Sequence, residues 1–162
     1  MKTTVSTHTS QTDSFLYRFH SGDYQMLNGN GTDFDLTNII DFENGIPGFE
    51  ELSKFIVVPL KEHPPFQVLQ SLEAPPIAMF VIPIHHFESK QEIKIERIDL
   101  TQINAKSQDE TDIYFVIKMS QKEKMFTVNT KAPIVINSKI LQGCQVILDN
   151  PKLQIEQSLD LA

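Results

Sequence analysis

The side chains best equipped for chemistry in this chain are its five histidines, His8, His20, His63, His85 and His86, and its adjacent carboxylates. An imidazole beside an acid can move a proton or hold a metal ion near neutral pH. His85-His86 is the one histidine pair. Neighbouring residues of a strand point to opposite faces, so two such rings are poorly placed to share an ion. His63 precedes Pro64-Pro65 and reads as a loop residue. The acid pairs Glu50-Glu51 and Asp109-Glu110 fall in polar, turn-like sequence, where carboxylates stay hydrated. Gly45 and Gly48 lack the downstream Lys-Ser/Thr of a phosphate-binding loop. A Gly-x-Ser-x-Gly elbow is absent. The single cysteine, Cys144, excludes an internal disulfide and a cysteine zinc site, and it reads as a small buried thiol. No metal, cofactor or catalytic set is therefore expected. The chemical alternative left open is a small-molecule-binding barrel, or an enzyme, using His85 or His86 with a nearby acid.

The elements that must position these residues read as short strands. Apolar, β-branched and aromatic runs occupy residues 34–42, 55–60, 66–72, 77–82, 113–119, 125–128, 133–137 and 145–148, as strands prefer. Prolines bound several of them, where a missing N–H costs little. Residues 120–124 are a polar hairpin loop. One helical segment is suggested between Glu92 and Ser107 by Ile95, Ile98 and Ile103, and residues 153–161 read as a short helix or a last strand. The expected fold is mainly all-β, a small antiparallel β-barrel-like domain with one or two short helical segments. Its extent is read as residues 33–162. Residues 1–32 read as a flexible extension, polar at first, with an apolar patch at Phe15, Leu16, Tyr17 and Phe19 and a turn at Asn28-Gly29-Asn30-Gly31. If that patch were an edge, it would suit an oligomer-forming subunit.

At 162 residues the chain suits one domain. Its formal net charge of −7 opposes the nucleic-acid backbone and favours encounter with a basic protein. No apolar run approaches the ~20 residues that span a bilayer, and no secretory h-region follows Lys2. A cytoplasmic protein without direct nucleic-acid or membrane contact is expected.

The most distinctive stretch is Ile39-Ile40-Asp41-Phe42-Glu43-Asn44-Gly45-Ile46-Pro47-Gly48-Phe49-Glu50-Glu51. Ile40, Phe42 and Ile46 can bury, while two glycines around a proline force a rigid reversal. The result reads as an acidic ledge for a protein partner. Its expected contact residues are Asp41, Glu43, Pro47, Phe49, Glu50 and Glu51. Leu72 and Glu73 join them if the strands before and after lie side by side. An apolar centre with a charged edge is a common interface pattern. For Leu72 and Glu73, a plain strand stop is the other reading.

The run Ile40-x-Phe42-x-x-Gly45-Ile46-Pro47-Gly48-Phe49-Glu50 resembles the signature of the FliW family of flagellar assembly factors. Further blocks follow in the family's order: Phe55-Ile56-Val57-Val58-Pro59-Leu60, Pro65-Phe66 with Leu69-Gln70-Ser71-Leu72, and Ile77-Ala78-Met79-Phe80-Val81. Asn129 to Asn137 and Gly143 with Gln145-Val146-Ile147-Leu148 are similar to the closing strands. The resemblance covers residues 34–148. It implies a small cytoplasmic β-barrel-like protein without enzymatic activity and with two partners. One is flagellin held before export. The other is the RNA-binding translational repressor CsrA, which the family antagonises once flagellin has been secreted. A free monomer is expected. The first 30 or so residues, and residues 88–112 with Lys90, Lys94, Arg97 and Lys106 among acids, depart from the family pattern.

Overall fold

The computed structural model describes residues 38–74, 77–120 and 125–159. The expected extension 1–32, its apolar patch and the first part of the strand expected at 34–42 lie outside them. Eight strands are formed among the described residues: β1 (Ile40–Asp41), β2 (Lys54–Pro59), β3 (Gln67–Ser71), β4 (Ala78–Pro83), β5 (Thr111–Ser120), β6 (Met125–Asn137), β7 (Gln142–Gln145) and β8 (Gln157–Ser158). One short helix, α1 (Arg97–Gln102), and two 3-10 turns lie between β4 and β5. The sheet runs β5-β4-β3-β2-β1-β7-β6, and β5 pairs back to β6, so seven strands close a barrel and β8 adds to β6 outside the ring. The pairs are antiparallel except β1 with β7, which is parallel and meets at Asp41 opposite Gln142.

Alternate residues of the long strands serve two separate cores, which is why those strands read as continuous apolar runs. Val68, Phe80, Ile82, Ile113 and Phe115 join one core with Ile93, Ile95, Leu100 and Ile103. These last four come from the segment that crosses from β4 to β5 and covers that face. Leu69, Val81, Ile134 and Ile136 join the other core with Ile40, Phe42, Ile46 and Phe55. The helix occupies only part of the expected segment. Ile95 and Ile103 are buried beside it, but Ile98 is 74% exposed, so the three isoleucines do not form one stripe.

β6 departs most from expectation. The runs 125–128 and 133–137 are parts of a single strand that contains Pro133 in its interior. A bulge makes this possible. Two steps along β5, from Tyr114 to Val116, match five along β6, from Ile134 to Asn129. The N–H groups inside the bulge bond elsewhere. Thr130 and Lys131 donate to the Gln154 carbonyl at 2.9 and 3.3 Å. Lys131 and Ala132 donate to Asn129 Oδ1 at 3.1 and 3.0 Å. Pro133, which has no N–H to place, falls inside the same irregular stretch, between Asn129 and Ile134. The last long strand is also displaced: pairing covers Gln142–Gln145, earlier than the run at 145–148. Val146 and Leu148 still donate to the carbonyls of Pro133 and Lys131. Of the two readings of the C-terminal stretch, the strand holds, at Gln157–Ser158.

Barrel closure rests on a tight contact at the parallel seam. A Cβ on Gly143 of β7 would stand 2.6 Å from the ring of Phe42, which follows β1 and is fully buried. Phe42 also meets Phe55 edge-on, with ring centroids 5.2 Å apart. Gly143→Ala should therefore lose roughly 1–3 kcal/mol of stability through overpacking. Urea denaturation measures this, and a variant with unaltered stability would show that the seam tolerates a side chain.

Candidate functional site

The candidate site is the turn that leaves β1. Phe42 donates its N–H to Ser53 O at 2.8 Å, and Gly45 donates to Phe42 O at 2.8 Å, which turns the chain away from β7. Gly45 takes φ +65°, and a Cβ there would lie 2.5 Å from Glu50 Cα. Ile46 and Phe49 then face each other across an isolated bridge, closed by Phe49 N–H to Ile46 O at 2.6 Å. Proline second and a glycine at φ +90° third make this a type II arrangement. Ile46 is the buried plug, Phe49 is half-buried, and Pro47 and Gly48 stand in solvent.

The acids of the ledge divide into two groups. Glu50 Oε1 accepts from Gly48 N–H at 2.9 Å and thereby braces the turn. That backbone bond holds its carboxyl below the ordinary value of 4.5. Glu73 Oε2 accepts from the N–H groups of Ser53 and Lys54 at 2.6 and 3.1 Å. Its carboxyl is lowered too, first by the Lys54 N–H and then by that of Ser53. Asp41 forms an ion pair of 2.8 Å with Lys54, both about half exposed. The structure thus brings Asp41, Glu73 and the start of β2 together. Leu72, half-buried, donates its N–H to Lys54 O at 2.9 Å. Glu43 and Glu51 form the second group: both are exposed and neither makes a hydrogen bond or ion pair among the described residues.

Beside the turn is a cleft of about 300 Å³ lined by Asp41, Glu43, Asn44 and Gly45, by Gln102 of α1, and by Gln142, Gly143 and Cys144 of β7. Sequence reasoning missed Asn44, Gln102 and Gln142. No local signal marks the two glutamines, because only the barrel's closure brings them to the turn. Cys144 is half-buried, and burial followed by the charge of Asp99 pushes its thiol up to about 11. It stays protonated and is a poor nucleophile at neutral pH.

The histidines stand elsewhere. His85 and His86 lie on a 3-10 turn (Ile84–His86) rather than a strand, so their rings do not point apart. Their centroids are 4.2 Å from each other. His85 lines a cleft of about 410 Å³ with Gln67, Asp109, Asp112 and Tyr114. The Tyr114 phenol is pushed up to about 12 by burial and then by Asp112, so it keeps its proton. Gln108, at the same cleft, is already engaged: its Oε1 accepts from Ile95 N–H and its Nε2 donates to Ile93 O. Among the described residues, no three His, Cys, Asp or Glu side chains are grouped to hold a metal ion. None of their helices is long and apolar enough to cross a membrane.

The model of the FliW protein family matches residues 28–159. The chain belongs to the FliW family. A "Flagellar assembly factor FliW" of Clostridium botulinum (strain Hall) is 36% identical over 129 residues, covering 78% of this chain and 89% of that one. Its namesake in Clostridium tetani is 36% identical over 124 residues, with 76% and 86% covered. A crystal structure of the flagellar assembly factor FliW superposes with TM-score 0.70 at 29% identity, over 78% of this chain and 88% of that one. In this FliW-family barrel the turn links β1 to β2, and its bracing acids accept from the backbone of the turn and of the start of β2.

Two outcomes test how the turn is held. Gly45→Ala should lose roughly 2–4 kcal/mol, since it combines a backbone clash with a left-handed φ, and Gly48→Ala about 1 kcal/mol, since only its φ is strained. Chemical denaturation ranks the two, and equal losses would mean that the Glu50 backbone yields. The second outcome is pH-dependent. A carboxyl lowered in the folded chain stabilises it above the unfolded value and loses that contribution as pH falls through the folded one. Stability should therefore decline below pH 4.5, and Glu73→Gln should make that decline shallower. Thermal melts between pH 3 and pH 6 read it; an unchanged slope would remove Glu73 from the acid limb.

Proposed function

We propose that this protein is a cytoplasmic flagellar assembly factor that works by binding rather than catalysis. It holds flagellin before export and, when flagellin is gone, captures a CsrA-type RNA-binding repressor by protein–protein contact. Flagellin synthesis is thereby coupled to export. It acts as a monomer when free and touches neither nucleic acid nor membrane. Family membership supports this reading, with nearly the whole length of the named relatives matched.

The observation that carries it is the braced turn. Pro47 and half-buried Phe49 are held out on a backbone fixed by Gly45, Gly48 and Glu50, with free Glu43 and Glu51 at its rim. A preformed apolar knob loses little freedom on binding, so more of its contact appears as affinity. Asp41, Glu50, Leu72 and Glu73 belong to the same proposed surface, chiefly as its supports. The alternative, small-molecule chemistry at His85, has a cleft in its favour, but the Tyr114 phenol there is held protonated and the Gln108 amide is already engaged.

Phe49→Ala should weaken binding of flagellin or of the repressor at least about tenfold, as loss of an aromatic anchor does, with little change in melting temperature. Isothermal calorimetry with each partner measures this. Full affinity for both would take the knob out of the interface.

A further inference from the structure

The hydrogen-bond ladder leaves one side of β7 bare. Val146 and Leu148 donate their N–H groups to the carbonyls of Pro133 and Lys131 at 3.0 and 2.9 Å, so the ladder with β6 continues past Gln145. Along an antiparallel pair, successive residues direct their backbone groups to opposite sides. Gln145 and Ile147 therefore point N–H and C=O away from β6. The neighbour on that side is β1, which meets β7 only at Asp41 opposite Gln142 and turns off after Phe42. Among the described residues, no backbone group pairs with Gln145 or Ile147 on that side. The space beside the departing chain is the cleft between Asn44-Gly45 and Gly143-Cys144. Ile147, on the same edge, is 72% exposed. Natural sheets blunt such an edge with a charge, a proline or a bulge. Gly143-Cys144-Gln145-Val146-Ile147 holds neither charge nor proline, and β7 keeps one register against β6.

We propose that Phe15-Leu16-Tyr17-Arg18-Phe19 of the same chain adds as a further strand to this edge, beside Gly143 to Ile147. Extended segments bind open sheet edges through backbone bonds, and alternate side chains supply the fit. Phe15, Tyr17 and Phe19 stand two apart, so a strand places all three on one face, and aromatic residues favour strands. That face supplies the apolar cover that Ile147 lacks. The ring does not need this segment for itself: the family match begins at residue 28, and seven strands close without it. The place of the segment in the chain favours it over a second copy. Asn38, the first described residue, lies two positions before β1 and so near the start of β7. Phe19 is nineteen residues upstream of Asn38, up to about 65 Å of extended chain. The edge from Gln142 to Ile147 spans only about 17 Å. Tethering makes the pairing intramolecular, with an effective concentration on the order of millimolar that a second copy does not reach in dilute solution.

Amide hydrogen exchange on the full chain tests this, with the unaltered protein beside a Leu16→Pro/Tyr17→Pro variant. Proline has no N–H, and two in succession remove a donor from each side of the segment, so the variant pairs poorly in any register. Both positions precede the family match, so the barrel should be kept. The N–H groups of Val146 and Leu148, bonded to β6, serve as the control and should exchange equally slowly in both proteins. Those of Gln145 and Ile147 should exchange roughly tenfold or more faster in the variant, because a paired amide must open before it exchanges. The difference should not depend on protein concentration. Equal exchange of Gln145 and Ile147 in the two proteins overturns the proposal. Protection that grows with concentration, together with a dimer mass by sedimentation, gives the edge to a second copy and overturns it as well.

Discussion

The fold depends on one contact: the ring of Phe42 lying against the bare backbone of Gly143. β1 is only two residues long and meets β7 at a single parallel position. So few hydrogen bonds cannot close a seven-stranded ring by themselves. Phe42 supplies the missing adhesion. Its ring fills the space that a side chain on β7 would take, and Phe55 holds it from the other side. The turn inherits its position from this arrangement. Phe42 is the residue whose carbonyl receives the Gly45 N–H, so the start of the turn is anchored in the core.

Two economies of acid chemistry follow. Glu50 and Glu73 satisfy backbone donors that would otherwise face water, so they shape the surface more than they charge it. Glu43 and Glu51 are left to carry the field. A count of acids along the sequence treats all of these alike. Their roles separate only when partners are assigned, and the lowered carboxyls of Glu50 and Glu73 reflect those partners rather than any pocket.

The parts that were legible in the sequence are those whose cause is local. Pro47 and Gly48 encode a reversal by their own dihedral limits, and the β-branched runs encode strands by side-chain shape. The barrel class followed from the number and brevity of those runs. What escaped has a remote cause. Pro133 belongs inside a strand because Asn129 and the distant Gln154 take up the bulge's donors. His85 and His86 turn together because the chain leaves β4 through a 3-10 turn, which the alternation rule for strands does not foresee. Ile98 fits a helical spacing yet points outward, since Leu100 is the residue that α1 buries. The cleft's glutamines, Gln102 before β5 and Gln142 after β6 in the chain, meet only in the finished ring.

The parallel seam also sets an order of events during synthesis. β1 is near the beginning of the described chain, and its barrel neighbour β7 is near the end. A ribosome-bound chain that has not yet released residues 142–145 can form the meander from β2 to β5, with Phe42 against Phe55 but without the β7 backbone on which its ring closes the barrel. Contacts this distant in sequence are the slow ones to form. The turn is therefore braced locally as it emerges and gains its core anchor last, so a truncated nascent chain cannot display the finished surface.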